Sequence, residues 1–217
     1  MATRADQKRW TFEEYFAWEA NQEEKHEFYG GIVYRRNLAP VAMVGVAIRH
    51  GRVVTNLQSL LTQKLRGTGC DVYGPEIRLR ITAEDAAFYP DAFIACVPTD
   101  PDDHEIVDAA SVVFEVLSPS TGAYDLGDKF RAYIKLQSLR AYFLVDPVLH
   151  KVEAYFRENE RWVLRTFARG SDIEIPVAGI AISFDMLFEG VPAKEHPFQA
   201  ADIVSLPNEI AARRRRD

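Results

Sequence analysis

The chain has 217 residues, of which 47% are hydrophobic and 27% charged, and this composition is typical of one soluble globular domain. No apolar run is long enough to span a membrane, and residues 1–10 lack the apolar core of a signal peptide, so we expect a cytoplasmic protein. The net charge of −6 argues against a uniformly basic nucleic-acid-binding protein, but a local basic group such as Arg35 and Arg36 is compatible with that total.

The two cysteines, Cys70 and Cys96, are too few for a framework of disulfide bridges and have no metal-ligand spacing. Each lies in an apolar stretch of the sequence. The pattern therefore predicts two buried free thiols, as in proteins of reducing compartments.

The first helix and a hairpin follow from short local signals. Thr11 and Glu14 have the spacing of a capping box, which predicts a helix from Thr11 to about Ala20. The sequence Phe-Tyr-Gly-Gly at 28–31 predicts a turn between two strands, because glycine adopts positive φ without strain. A second helix is predicted to open at His50 and to end at the glycines at 67 and 69.

The second half of the chain reads as a sheet interrupted by one helix, from about Asp125 to Gln137. The order of strand, helix and strand across residues 112–146 predicts a βαβ crossover with two parallel strands. We expect the chain to divide into an N-terminal extension at 1–10, an α/β domain at 11–191 and a C-terminal tail at 192–217. Strands are predicted at 70–73, 77–81, 91–97, 112–117, 141–146, 152–157 and 162–167.

Glu115 is the most informative candidate, because it lies in the middle of the apolar strand 112–117. A buried carboxylate is costly unless it is paired or bound to a metal. The alternatives are a salt bridge to an arginine or a side chain that reaches solvent. Ionised groups at such positions are often functional, which favours a site.

Asp91 follows Tyr89 and Pro90 at the start of another predicted strand. By itself it would be an ordinary turn residue. Together with Glu115 it forms a pair of carboxylates on neighbouring strands, which repel each other unless a cation lies between them. Hard oxygen ligands of this kind predict a site for Mg²⁺ or Mn²⁺ held by both carboxylates.

Lys129 is the third candidate, on the predicted helix after the strand of Glu115. Residues turn by ~100° in an α-helix, so Lys129 falls inside an apolar stripe that also contains Leu126 and Tyr133. The alternative is an aliphatic stem that carries the ammonium to water. Beside two metal-binding carboxylates, an ammonium would orient water and offset negative charge during phosphodiester hydrolysis.

These motifs resemble those of the Uma2 family of restriction-endonuclease-like proteins, over roughly residues 11–190. The resemblance is carried by Tyr-Pro-Asp at 89–91, by Glu-Val-Leu-Ser-Pro-Ser-Thr at 115–121, and by Asp125 with Lys129 and Tyr133. It implies a restriction-endonuclease-like mixed central sheet flanked by helices, of the PD-(D/E)XK superfamily. That superfamily usually has a lysine two residues after the glutamate, where this chain has Leu117. The resemblance implies that Lys129 replaces it from the helix.

Three further residues are candidates for accessory roles. Superfamily members often carry a glutamate on the first helix, so the resemblance implies Glu27 as an accessory ligand. Glu76 is a comparable candidate, and His50 is a candidate for binding phosphate or orienting the substrate. Each has a plainer interpretation as a solvated charge, or for His50 as a capping or packing residue.

The leading hypothesis is a Mg²⁺-dependent endonuclease that acts on DNA through Asp91, Glu115 and Lys129. A second hypothesis is a nucleic-acid-binding or protein-binding module that has kept the fold and lost catalysis, as the acidic charge and the displaced lysine suggest. A third is a metal-free hydrolase that uses two carboxylates as acid and base, for instance on a glycoside. Nucleases that cut both strands often act as dimers, so we consider a homodimer by analogy.

Overall fold

The computed structural model describes residues 8–36, 44–97, 106–118 and 124–193. Most of the predicted N-terminal extension and C-terminal tail lies outside these ranges. Across the described residues, no helix combines the length and the apolar character that crossing a membrane requires.

The N-terminal helix and hairpin confirm the predictions made for them. Helix α1 spans Phe12–Glu19, with Thr11 as its N-cap. The backbone N–H of Glu14 donates to the Thr11 hydroxyl at 3.1 Å, and the N–H of Thr11 donates to the Glu14 carboxylate at 3.0 Å, so the capping box is formed. Strands β1 (His26–Tyr29) and β2 (Ile32–Arg35) pair antiparallel around two glycines with positive φ.

Helix α2 spans Val44–Leu65, so the prediction that His50 opens it is wrong. His50 lies almost two turns inside the helix. Residues 44–49 show little helical periodicity in the sequence, so the sequence did not indicate that the helix begins before His50. The predicted end is confirmed, because Gly67 adopts a left-handed φ of 76° just after the last turn.

The central sheet has six strands in the order β11-β10-β9-β8-β6-β3. Strands β8 and β9 are parallel, which confirms the predicted crossover, and the other neighbours in this sheet are antiparallel. One face packs against α2, and the other faces a second apolar cluster that contains the crossover helix. The strands are β3 Asp71–Tyr73, β6 Ala92–Ala95, β8 Val112–Val116, β9 Ala141–Asp146, β10 Lys151–Glu158 and β11 Arg161–Phe167.

A second sheet has five strands in the order β2-β1-β5-β4-β7, and a third has two, β12 and β13, followed by the short helix α4 at Phe184–Leu187. Of their strands, β1 and β2 form the predicted hairpin, and β4 lies within the predicted strand 77–81. The others have two to four residues each, too short for a clear period of two. They are β4 Arg78–Ile81, β5 Ala86–Phe88, β7 Ile106–Val107, β12 Asp172–Ile175 and β13 Ile180–Ser183.

The crossover helix begins with a π-helical turn at Asp125–Lys129 and continues as helix α3 at Phe130–Tyr133. It ends about one turn before the predicted Gln137. Leu126, predicted to lie in the apolar stripe, is instead 47% exposed. A π turn contains more residues than an α turn, so each residue rotates by less than the ~100° assumed from the sequence, and Leu126 points away from Lys129.

The prediction of two free thiols is wrong, because Cys70 and Cys96 form a disulfide. Strands β3 and β6 pair with Asp71 opposite Ala95, and continuing this register by one residue places the two cysteines opposite each other. Both side chains are only partly buried. The sequence could not show this, because pairing depends on a register between segments 26 residues apart.

This disulfide is expected to stabilise the fold by about 3 kcal/mol, because it closes a loop of moderate length in the unfolded chain. The sequence separation that it closes is 26 residues. Urea unfolding of the wild type should shift to lower urea when dithiothreitol is added, while a Cys70→Ser/Cys96→Ser variant should unfold at one midpoint in both conditions. An unchanged wild-type midpoint in the reductant would contradict the expectation.

Candidate active site

Glu115 lies in β8, all five residues of which are buried. Side chains alternate along a strand, so Glu115 points to the same face as Val113, toward the crossover helix. Its Oε1 accepts hydrogen bonds from Lys129 Nζ at 3.1 Å and from the hydroxyl of Tyr133 at 3.0 Å. The predicted buried carboxylate is therefore present and is held by two donors from one helix.

Lys129 is buried and points inward, as the helical spacing predicts. The π turn brings Asp125 to the same side, four residues earlier. The three carboxylates nearest the ammonium are those of Glu27 at 2.9 Å, Glu115 at 3.1 Å and Asp125 at 3.4 Å. One buried ammonium is thus held among three buried carboxylates.

The charges in this cluster do not balance if every carboxyl group is ionised. Burial raises the pKa of Glu115 to about 8, and the negative charges of Asp125, Asp91 and Glu27 add to the effect against the opposing charge of Lys129. Burial alone would lower the pKa of Lys129, but the surrounding carboxylates outweigh it and raise that pKa well above its usual value. Near neutral pH the ammonium is therefore charged and the Glu115 carboxyl group is largely protonated.

Two buried tyrosines line the cluster, Tyr133 from the crossover helix and Tyr142 from β9. Burial raises the pKa of Tyr133 and of Tyr142 well above the usual value, and the charge of Glu115 adds to both shifts. Both phenols therefore stay protonated and act as hydrogen-bond donors. Tyr142 donates to the backbone oxygen of Asp125 at 2.9 Å, which fixes the start of the π turn.

Asp91 lies just before β6, next to the buried cluster. Strands β6 and β8 pair antiparallel with Ala92 opposite Phe114. Continuing this register by one residue places Asp91 opposite Glu115, so the two predicted metal ligands lie side by side. The Oδ2 atom of Asp91 accepts a hydrogen bond from the backbone N–H of Val116 at 2.8 Å. The amide of Gln58 in α2 donates to the backbone oxygen of Asp91 at 3.1 Å, so the segment is held from both sides.

Two basic side chains face the Asp91 carboxylate. His50 Nε2 lies 3.2 Å from Oδ2, and Arg36 Nη2 lies 3.7 Å from Oδ1. Burial would raise the pKa of Asp91, but His50, the N–H of Val116 and Arg36 outweigh it, so the pKa falls below its usual value. Burial would lower the pKa of His50, and the hydrogen bond and charge of Asp91 reverse this and raise it.

The structure brings Glu27, Glu115 and Lys129 into direct contact and places Asp91 and His50 beside them. Glu76 lies apart from this cluster, because its side chain is 79% exposed and pairs with Lys25 at the surface. The sequence pointed to Arg36 only as part of a local basic group, did not single out Gln58, and marked Asp125 only as part of the family motif. Asp125 did carry a signal, because it precedes Lys129 by four residues on one helix.

Carboxylate oxygens are the ligands that Mg²⁺ prefers, so the donor chemistry around Asp91 and Glu115 fits a divalent cation. Within the described ranges, no three acidic, histidine or cysteine side chains are already arranged around a common cation position. The Lys129 ammonium explains this arrangement, because it lies among three of the carboxyl groups, where a metal ion would otherwise bind. Metal binding would therefore require at least one of these contacts to rearrange.

The mixed central sheet with its flanking helices places the protein in the class of restriction-endonuclease-like α/β proteins. The chain belongs to the Uma2 family, described as "Putative restriction endonuclease", whose family model matches residues 12–186.

Comparisons with known proteins agree with this assignment. Two uncharacterized proteins of Synechocystis sp. are similar: slr1290 is 29% identical over 82% of this chain and 91% of its own length, and sll1609 is 32% identical over 81% and 96%. A crystal structure from Anabaena variabilis, described as "a putative nuclease belonging to DUF820", matches with a TM-score of 0.64 at 17% identity. That match covers 82% of this chain and 97% of the other, and at this identity it supports the fold alone.

Proposed function

We propose that the protein is a Mg²⁺-dependent endonuclease that hydrolyses DNA phosphodiester bonds. The observation that carries the proposal is the Lys129 ammonium, buried among Glu27, Glu115 and Asp125 and next to Asp91. A buried group of this kind costs stability relative to apolar packing, so its presence favours a chemical role. Family membership supports nuclease chemistry but does not identify the metal or the residues.

Asp91 and Glu115 would hold Mg²⁺, or Mn²⁺ in its place. The bound cation would polarise the phosphoryl group and lower the pKa of a coordinated water. Lys129 would remain protonated, because the pKa of its ammonium is raised. Its role in the proposal is therefore to orient the attacking water and to offset negative charge on the phosphoryl oxygens, and not to act as a base.

Glu27 would position Lys129 in this scheme. Its Oε1 lies 2.9 Å from the ammonium and also accepts the backbone N–H of Tyr89 at 3.4 Å, two residues before Asp91. One carboxylate thus connects the lysine with the segment that carries the other proposed metal ligand. His50 and Arg36 offer basic groups beside Asp91, where a substrate phosphate would approach.

Metal binding is expected to strengthen as the pH rises toward about 8, the pKa to which burial raises the Glu115 carboxyl group. The sign follows from competition, because below that pKa the cation must displace a proton. Affinity should rise by up to about tenfold for each pH unit below the pKa and level off above it. Calorimetry with Mg²⁺ or Mn²⁺ in buffers of different ionisation enthalpy would also measure the released proton. An affinity that does not change over this range would contradict a role for Glu115 as ligand.

The decisive test is DNA cleavage by the full chain with Mg²⁺, with Mn²⁺ and with EDTA, in parallel with an Asp91→Asn variant. The proposal expects cleavage only with metal and its loss in the variant. Cleavage that persists in EDTA would instead support a metal-free hydrolase that uses two carboxylates.

A nuclease that cuts both strands of DNA in the cytoplasm would act as a homodimer in this proposal. Analytical ultracentrifugation of the protein with a DNA duplex would test that oligomeric state.

A second candidate is a binding module that has lost catalysis. The position of the lysine favours it, because an ammonium that already lies among the carboxylates neutralises part of their charge without a metal. This candidate expects DNA or protein binding that survives Glu115→Ala and shows no dependence on Mg²⁺. Metal-dependent cleavage by the wild type would exclude it.

A further inference from the structure

A cleft of about 350 Å³ opens at the surface beside Arg36, one of the two basic residues that face Asp91. Its lining contains three cationic and two anionic side chains, so its local charge is opposite in sign to the net charge of −6 of the whole chain. The lining residues are Glu24, Lys25, Arg35, Arg36 and Glu76. We call this feature the basic cleft.

The open end of the β1–β2 hairpin forms most of the basic cleft, because Glu24 and Lys25 precede β1 while Arg35 ends β2 and Arg36 follows it. The ladder places His26 opposite Arg35, and the backbone N–H of Arg36 donates to the oxygen of Lys25 at 2.9 Å. The register therefore places Lys25 and Arg36 side by side, although the whole hairpin separates them in the sequence. The glycine turn that sets this register thus also sets the position of the charges.

Two of the cations converge on one acceptor. Lys25 Nζ donates to the backbone oxygen of Pro75 at 3.1 Å, and Arg36 Nη1 donates to the same oxygen at 2.8 Å. Arg36 has a side chain that is only 15% exposed, so it is held in position. Two like charges on one carbonyl repel each other, and an anion that bridges them would relieve the repulsion.

The anions now present in the basic cleft are weakly held. Glu76 pairs with Lys25 and Glu24 pairs with Arg35, and the side chains of these glutamates are 79% and 57% exposed. Ion pairs this exposed contribute little to stability and are screened by salt. A phosphate, which binds arginine and lysine through several oxygens, can therefore displace both carboxylates.

We infer that the basic cleft binds the sugar-phosphate backbone of DNA next to the bond that is cut, with Glu24 and Glu76 occupying the place of the phosphates in the free protein. This inference rests on the proposed nuclease function, because that function supplies the DNA. Lys25 and Arg35 contact phosphates, and Arg36 connects the cleft to Asp91. The two glutamates keep the cleft selective for a strongly charged polyanion, because a weak anion cannot displace them.

The test measures DNA binding by the full chain after two positive charges are removed in one variant and two negative charges in another. A Lys25→Gln/Arg35→Gln variant should bind a fluorescein-labelled DNA duplex about tenfold more weakly, and the slope of log K against log salt should fall by about two. A Glu24→Gln/Glu76→Gln variant should bind several-fold more tightly. The matched controls are Arg165→Gln and Glu158→Gln, each of which removes one partner of an exposed ion pair of 2.7 Å between β10 and β11, at the far edge of the central sheet. Fluorescence anisotropy measures binding, and thermal unfolding checks that every variant is folded.

The outcomes separate this inference from the proposed function. If the wild type cleaves DNA but the cleft variants bind with the affinity and salt slope of the controls, the inference is wrong and the nuclease function stands. If the cleft variants change affinity in opposite directions but no metal supports cleavage, the cleft is a DNA site on a protein that does not cut. If the wild type neither binds nor cleaves any duplex, both proposals fail together.

Discussion

Replacing Lys129 with methionine is expected to lower the free energy of unfolding by about 3–5 kcal/mol, the range found when one partner of a buried ion pair is removed. The methionine keeps the aliphatic stem but leaves the buried carboxyl groups of Glu27, Glu115 and Asp125 without the ammonium that they share. Some of the cost is offset if these groups take up protons. Urea unfolding near neutral pH would measure the loss.

The same variant gives a second readout. Removal of the ammonium leaves an unneutralised cluster of oxygen ligands, so Mg²⁺ should raise the melting temperature of Lys129→Met more than that of the wild type. The matched control is Lys135→Met, because that lysine is 54% exposed and lies 3.7 Å from Glu84. Its effect should stay within about 0.5 kcal/mol. A loss below about 1 kcal/mol for Lys129→Met would show that the ammonium does not hold the cluster together.

Replacing Glu115 with glutamine is expected to reduce Mg²⁺-dependent DNA cleavage by about a thousandfold or more, because a neutral amide is a poor ligand for a hard divalent cation. Stability should change little by comparison. Burial raises the pKa of the Glu115 carboxyl group to about 8, so it is largely neutral at pH 7 in the metal-free protein. The amide oxygen can still accept from Lys129 and Tyr133.

Single-turnover cleavage together with thermal unfolding separates the two effects. Glu153→Gln is the matched control, since Glu153 lies in the same sheet and pairs with Lys151 on its own strand. That variant should cleave as well as the wild type. Cleavage by Glu115→Gln at the wild-type rate would remove Glu115 from the chemistry, whatever happened to stability.

The pH dependence of stability has a definite sign at this residue. In the unfolded chain the Glu115 carboxyl group ionises near its ordinary value of 4.5, whereas in the folded protein it keeps its proton up to about 8. Between these values the folded state binds the extra proton, so its stability falls as the pH rises. The metal-free wild type should therefore lose more stability than Glu115→Gln across this window.

Strong local patterns made the central fold predictable from sequence. The run of five apolar or aromatic residues around Glu115 predicted a strand buried on both faces, and β8 has that burial. The spacing of Lys129 from Tyr133 predicted an inward lysine, and the ammonium is buried. The capping box at Thr11 fixed the start of α1. Each of these signals depends on neighbours within one element.

Features that depend on distant pairing could not be predicted in the same way. The disulfide requires the register of β3 against β6, and the basic cleft requires the register of β1 against β2 together with the position of Pro75. The pairing of His50 with Asp91 requires α2 to pack beside the start of β6. No local period in the sequence carries such information, because it is fixed only when the sheets assemble.

The π turn at Asp125–Lys129 makes this protein sensitive to chain length at one point. A π turn is equivalent to one residue inserted into an α-helix. Loss of a single residue there, such as Gly127, would let the segment wind as a regular α-helix, because the extra residue is what widens the turn. Asp125 and Lys129 would then be three positions apart instead of four, and their side chains would enter the buried cluster at altered angles. A one-codon deletion outside every proposed contact residue would thus alter the geometry of the buried cluster in this Uma2 protein.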